Sequence, residues 1–360
     1  MIAQTPKLEL DCPRPARVAV VLNVNAPGVG PEIIRSISSA VDGDALFVCS
    51  SLDQLSVVAR RILARRFDVV LCGGGDGSFA RCVSAVRALV HDPDDAPAFG
   101  VLRLGTGNAL ASTLGADAVT AGALPAVLAR ARHARPARLP LLRVNGTELC
   151  PFAGVGADAL ILEDFNAVRR SRLGRRLGRG VAGYLVALAT RSLWRLLLGP
   201  TPHVTIINEG GPAWRVDPLG RPVGRVLCRG QALYHGPAIL AAASTIPHYG
   251  FGLRLFPQAA RLRGRFQLRV LNTGVIGPLL QLPELCRGDL AHERVYDFAC
   301  TAVTISTRQP TPLQIGGDEA GPARRTLIQL DEVRVVSSTT APTAAGQRRR
   351  RRRSMSRTRP

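Results

Sequence analysis

Eleven residues from Val69 to Phe79, VVLCGGGDGSF, hold four glycines, one serine and a single carboxylate, Asp76. Asp68 to Cys72 has the apolar character of a buried strand, and SFARCVSAVRALV, from Ser78, has the pattern of a helix. A strand that ends in consecutive glycines and feeds a helix leaves its backbone N–H groups unhindered and free to take positive φ. Such a nest, backed by the helix dipole, binds phosphate. Glycines also serve close packing of strand on helix, so one run of this kind says little. A second glycine turn, RLGTGNALA from Arg103 to Ala111, follows the next apolar run. Two such turns at adjacent strand ends would form one phosphate pocket, and Asp76 is the residue there suited to meet a metal ion or a hydroxyl.

The cations present restrict the phosphate chemistry. Lys7 is the only lysine in the chain; the remaining cations are arginine. A P-loop needs a lysine on the β- and γ-phosphates, and a protein kinase needs one on its third strand, so both classes are excluded. No G-x-G-x-x-G with an acid some 20 residues on is present, which argues against a dinucleotide oxidoreductase. Phosphoryl transfer here must neutralise its phosphates with glycine amides, arginine and Mg²⁺ held by carboxylates.

The elements that position these turns alternate along the first third of the chain. RVAVVLNV, ALFVCS, DVVLC and AFGVLRL read as strands separated by helical runs, the first of them opened by Pro31. Strand–helix alternation implies a parallel sheet covered on both faces, with ligands at the carboxyl ends of its strands. Near Arg138 the pattern changes: Asn145-Gly146 is a hairpin turn, one helical region runs from Ala157 to Leu198, and short apolar strands broken by Gly and Pro follow. The expected architecture is α/β, an N-terminal Rossmann-like parallel α/β domain followed by an antiparallel β-sandwich domain. Its divisions are an extension over 1–15, a nucleotide-binding domain over 16–137, a β-rich lipid or substrate domain over 138–336 and a disordered Arg-rich tail over 337–360.

Net charge is +21; eight of those charges lie at Arg348 to Arg353, Arg357 and Arg359, leaving +13 on the rest. That balance favours an anionic partner, whether phosphate ligand, lipid surface or nucleic acid. Aromatics are scarce and no nucleic-acid-binding signature occurs, so no specific nucleic acid is expected. The eight cysteines contain no C-x-x-C pair and read as buried thiols. No run of eighteen uncharged apolar residues and no leader pattern occurs, giving the expectation of a cytoplasmic protein. His235 and His248 have no partner at metal-ligand spacing and receive no role.

At these residues the sequence resembles a known family. GGGDGS (Gly73 to Ser78) is similar to the GGDGT motif of the diacylglycerol kinase catalytic domain, shared with bacterial lipid kinases and sphingosine kinases and more distantly with NAD kinases. LGTGNALA resembles the family's P-x-G-T-x-N-D-h-A element, NVNAPGVG its first N-P-x-x-G turn, AGVGADALILEDFN its G-x-G-x-D-A segment, and LQIGGDEAG the region of its D-G-E element. The five matches keep the family's order and span roughly residues 16 to 336.

The resemblance implies ATP and Mg²⁺ in an interdomain cleft and transfer of a phosphoryl group to a hydroxyl of a diacylglycerol-like or sphingoid lipid. Asn23, Gly73, Gly74, Gly75, Gly77, Ser78, Gly105, Thr106 and Asn108 would line the triphosphate, with Ser50 or Ser51 nearby. Asp76 would orient Mg²⁺ or the attacking hydroxyl, Asp158 would face the acceptor headgroup, and Asp318 or Glu319 would serve as base, Asp318 also as metal contact. The chain departs from the pattern at several positions: Ser78 stands for Thr, Ala80-Arg81 for the polar-Glu pair, Arg103 for Pro, Ala109 for Asp, Gly316 for the Asp and Asp318 for the Glu of D-G-E. The alternatives are a kinase of a soluble alcohol or NAD, and a silent nucleotide- or lipid-binding regulator. Six arginines between Arg169 and Arg179 precede an apolar helix containing Trp194. That pair of features would suit peripheral docking on an anionic membrane, with the arginine tail adding to it; the same helix would also serve as core. A homodimer is compatible with the sequence.

Overall fold

The computed structural model describes residues 14–105, 109–116, 119–170, 180–249, 253–274, 277, 281–289 and 292–337. The first unit is a parallel sheet of β1 (Val18–Asn23), β2 (Leu46–Cys49), β3 (Val69–Gly74) and β4 (Ala98–Arg103), in the order β4-β3-β1-β2. Both faces of these strands are buried because helices cover both, which is why they read as unbroken apolar runs rather than alternating ones. Ala19 and Val21 of β1 point into one core beside α2 (Leu52–Ala64) and α3 (Asp76–Arg87). Val18, Val20 and Leu22 point into the other, beside α1 (Pro31–Ser38) and α5 (Leu124–His133); α4 (Ala109–Thr113) follows β4. The chain leaves β1 for β2 on one side and returns to β3 on the other. The strand order therefore reverses between β1 and β3, and the crevice at such a switch point is where open α/β sheets bind ligands.

The second unit begins with β5 (Ala137–Val144) and β6 (Glu148–Cys150), joined by the Asn145-Gly146 turn with φ of 49° and 80°, left-handed values that these two residue types tolerate. After β7 (Phe152–Gly156) come α6 (Ala157–Arg170), α7 (Gly180–Ala187), a π-helical turn (Leu188–Ser192) and α8 (Leu193–Leu198). Then follow β8 (His203–Asn208), β9 (Ala213–Val216), β10 (Pro222–Leu227), β11 (Ala232–Pro237), β12 (Leu240–Ser244), β13 (Phe266–Leu271), α9 (Leu282–Arg287), β14 (Val295–Cys300), β15 (Ala302–Ile315) and β16 (Asp318–Val335). These strands are antiparallel and enclose one apolar core, to which β5, β7, β8, β12, β13, β14 and β15 all contribute. The far end of β16 crosses back to the first unit: Val335 pairs in parallel with Phe99 of β4, and Val333 and Val335 sit in the first core with Leu139 and Leu141. The two units thus share one continuous sheet path, and a division at 137/138 leaves out this returning strand.

Within the second unit Arg269 is 2% exposed on β13 and makes a two-pronged contact with Asp297 of β14, Nε to Oδ1 and Nη2 to Oδ2, both 2.8 Å. Gln267 donates to the same Asp297 Oδ1 at 2.8 Å. Removing one member of a buried pair strands the other charge and costs about 3–5 kcal/mol, whereas replacing both with apolar groups is close to neutral. Asp297→Ala is therefore expected to lower unfolding stability by about that amount in urea titrations, and Asp297→Leu with Arg269→Met to recover most of it. The N-terminal extension, most of the basic loop expected over 169–179 and the arginine tail lie outside the described residues.

Candidate active site

The glycine turns meet backbone to backbone. Gly74 ends β3 with φ 157°, and a Cβ there would lie 2.5 Å from Ser78 Oγ. A Cβ on Gly105 would lie 2.3 Å from both Cα and N of Gly75. Leu104 N–H donates to Gly74 O at 3.3 Å, and Gly28 N–H, from the turn after β1, donates to Leu104 O at 2.9 Å. Three strand ends thereby close on one another at the switch point. Gly75 is the N-cap of α3 and no side chain caps that helix, so its first amides are free of side-chain competition for an anion. The helix starts at Asp76, two residues before the apolar periodicity suggests, because glycine at the N-cap imposes no side chain on the entering chain.

The cleft beside this junction is lined by Asn23, Asn25, Ser50, Ser51, Ser78 and Arg81. Their hydrogen bonds fix them in sequence. Asn23 Nδ2 donates to Ser78 Oγ at 2.8 Å, and Asn23 Oδ1 accepts from Asn25 N–H at 3.0 Å. Asn25 Nδ2 donates to Ser50 O at 3.1 Å, and Ser50 Oγ donates to Gln54 Oε1 at 3.1 Å. Ser51 caps α2 by accepting from Gln54 N–H at 3.3 Å. Asn23, Ser50, Gly73, Gly74, Gly75, Gly77, Ser78 and Gly105 thus lie around this one junction, whereas Thr106 and Asn108 lie outside the described residues.

Asp76 has a different task from the one expected. Its Oδ2 accepts from Ala109 N–H at 2.8 Å and its Oδ1 from Leu110 N–H at 3.0 Å, so both oxygens are taken up by the first amides of α4. Asp76 is buried; desolvation pushes its carboxyl above the usual range while the two amides pull it down. It ties the second glycine turn to the first rather than facing the cleft.

Gly316 and Gly317, with φ of 60° and 87°, turn β15 into β16 and deliver Asp318 to the mouth of the nest. A Cβ on Gly77 would lie 2.6 Å from Asp318 Oδ2, and Arg81 Nη2 is 2.9 Å from that same oxygen. Burial pushes the Asp318 carboxyl up, and Arg81 opposes the shift. Glu319 points elsewhere and accepts from Asn166 Nδ2 at 3.2 Å. Of the two acids, Asp318 is the one against the phosphate turn. Among the described residues no three His, Cys, Asp or Glu side chains gather to hold a metal ion. With Asp76 engaged by two amides and Asp318 by a guanidinium, these two carboxylates do not by themselves make a Mg²⁺ site.

Asp158, in the first turn of α6, lies behind this turn. Its Oδ2 accepts from the Tyr249 hydroxyl, whose oxygen accepts from Gln314 Nε2 at 2.5 Å. Gln314 Oε1 in turn accepts from Gly317 N–H at 2.9 Å. Burial pushes the Asp158 carboxyl up, and burial together with Asp158 pushes the Tyr249 phenol well up. A relay of hydrogen bonds thus runs from Asp158 to the turn that carries Asp318. Tyr249 has no motif around it and Gln314, though inside LQIGGDEAG, carries no expected role there, so sequence reasoning misses both; Arg81 is visible only as a basic residue in place of an expected acid.

The family model for the diacylglycerol kinase catalytic domain aligns with β1 through the start of β5. Residues 17–139 match the diacylglycerol kinase catalytic domain. The match supports a kinase and, with it, use of a nucleotide. No curated protein matches the sequence. Solved structures extend the likeness to the second unit. A crystal structure from Bacillus anthracis str. Sterne, named as a candidate diacylglycerol kinase, superimposes with a TM-score of 0.64 at 15% identity, covering 90% of this chain and 96% of that one. A diacylglycerol kinase from the same organism gives a TM-score of 0.58 at 17% identity, covering 89% and 97%. At these identities the likeness is one of fold, and it runs through both the parallel and the antiparallel units.

Proposed function

We propose that the protein is an ATP-dependent lipid kinase, moving the γ-phosphoryl group of ATP to a hydroxyl of a diacylglycerol-like or sphingoid lipid. The observation that carries this reading is the joint made by Gly75 and Gly105, with Asp318 brought from the second unit onto the same nest. In the reaction the acceptor oxygen forms a bond to the γ-phosphorus as the bond to the β,γ-bridging oxygen breaks. ADP leaves with that electron pair, and the acceptor proton passes to Asp318. Positioning and charge stabilisation supply most of the rate in such transfers. Magnesium enters this reading only as the ion that ATP carries on its own phosphates.

A lipid rather than a soluble acceptor is favoured by the α7–α8 arm. Ser192 Oγ, Arg191 Nε and Arg195 Nη1 anchor it to buried Asp164 of α6, at 2.9, 3.2 and 2.7 Å. Tyr184 stacks on Phe165, centroids 4.0 Å apart. The opposite face shows solvent Leu185, Trp194, Leu197 and Leu198, with Trp194 56% and Leu198 82% exposed. Among the described residues no helix is long and apolar enough to cross a membrane, so such a face would dip into one leaflet. Trp194→Ser with Leu198→Ser is expected to reduce cosedimentation with vesicles of phosphatidylglycerol roughly tenfold or more, about the loss of two buried apolar side chains; unchanged binding would remove the arm from the account. Incubation with [γ-³²P]ATP and a lipid extract tests the reaction itself. Chloroform-soluble label is the expected result, water-soluble label indicates a small acceptor, and no label indicates a silent binder.

A further inference from the structure

Arg81 is the only charged side chain lining the cleft among the described residues. It stands one helical turn beyond Gly77 on α3, on the same face of that helix. Its guanidinium reaches across the first turn to Asp318 Oδ2 at 2.9 Å, so it touches both the nucleotide cleft and the acid that arrives from the second unit. Its side chain is 47% exposed and that of Asp318 40%, and an ion pair between groups so open to water is weak. A phosphate offers the same guanidinium a higher charge and a matching pair of oxygens. Exchange of partner is therefore favourable whenever a polyphosphate enters the cleft.

We propose that Arg81 is the cation that binds the transferred phosphoryl group, holding Asp318 while the cleft is empty and releasing it to the acceptor hydroxyl when a nucleoside triphosphate arrives. The proposal rests on the kinase reading above. It also fits a cleft whose lining, among the described residues, carries no carboxylate: a guanidinium lies where charge must be neutralised. As the bond between γ-phosphorus and the bridging oxygen breaks and the acceptor oxygen bonds to phosphorus, charge stays on the three equatorial oxygens, and Arg81 donates to them. Tyr184 of α7 lies close enough to Asp318 and Asp158 to feel both charges, and Arg169 of α6 is a second cation acting on Tyr184; Glu319 of β16 is turned to Asn166.

The test uses the full chain with Arg81→Ala and Arg81→Lys. Calorimetry with ATP and ADP reads the ground state: Arg81→Ala is expected to weaken ATP about tenfold and leave ADP unchanged, a contrast that holds whatever the acceptor is. Turnover with labelled ATP and diacylglycerol vesicles is expected to fall roughly 10²-fold, the usual effect of removing one charge-stabilising donor, with part of the rate restored by Arg81→Lys or by free guanidinium in the buffer. Equal weakening of ATP and ADP, unchanged turnover, or a loss that guanidinium does not relieve overturns the proposal. A wild-type protein that binds ATP better than ADP but labels no lipid sinks the lipid-kinase reading instead, and the ATP-to-ADP contrast of Arg81→Ala still decides for or against the Arg81 contact.

Discussion

Gly105→Ala is expected to abolish nucleotide binding and turnover while the protein still folds. The added Cβ would lie 2.3 Å from both Gly75 Cα and Gly75 N, and 2.8 Å from the carbonyl carbon of Gly74. None of these atoms belongs to a flexible side chain, so the clash is relieved only by moving one turn away from the other. An overpacked contact of this kind costs about 1–3 kcal/mol, an amount a folded chain survives. Under the proposed function the site does not survive it, because a displacement near 1 Å in a phosphoryl-transfer site costs about 10²-fold in rate, and the displaced atoms are the backbone proposed to face the phosphates. Gly122→Ala is the control: nothing lies within 4 Å of a Cβ at that position. Calorimetric titration with ATP should give no measurable heat for Gly105→Ala and wild-type affinity for Gly122→Ala, with far-ultraviolet circular dichroism unchanged in both. Wild-type affinity in Gly105→Ala would mean that phosphate does not bind at this joint.

How much of this was legible in the sequence depends on how local the signal is. The four parallel strands were, because burial on both faces writes itself as an apolar run, and the glycine turns were, because few other residues tolerate such close approach. That the two turns touch was inferable from strand adjacency, and Leu104 N–H on Gly74 O bears it out. The partners of the charged residues were not legible. Asp76 looks like a reacting acid in isolation, and only the placement of α4 shows its oxygens satisfied by Ala109 and Leu110. Asp318 and Glu319 could not be separated by spacing, since the left-handed Gly316-Gly317 turn decides which of them faces Gly77. The apolar run around Trp194 fitted core and surface equally well; its polar anchor on Asp164 turns Trp194 and Leu198 outward. The return of β16 to β4 has no sequence signature, because one pairing, Val335 with Phe99, makes it.

Asp76→Asn separates a structural acid from a reacting one. A carboxylate offers an acceptor to each of the two amides of α4, whereas a carboxamide offers one oxygen and turns its NH₂ group toward the other N–H. A buried amide left without a partner costs about 1–3 kcal/mol. At about 2–4 °C per kcal/mol for domains of 150–250 residues, the melting temperature should fall by several degrees. The change also frees the start of α4 from the first glycine turn, so Gly105 is no longer held against Gly75 and ATP affinity should drop along with turnover. A residue that met a metal ion or the attacking hydroxyl would behave otherwise: its amide variant would keep the melting temperature and the ATP affinity and lose only kcat. Thermal unfolding and calorimetry on the same preparation distinguish the two. An Asn variant with both quantities unchanged and no turnover would move Asp76 back into the reaction and leave the hydrogen bonds to Ala109 and Leu110 without energetic weight.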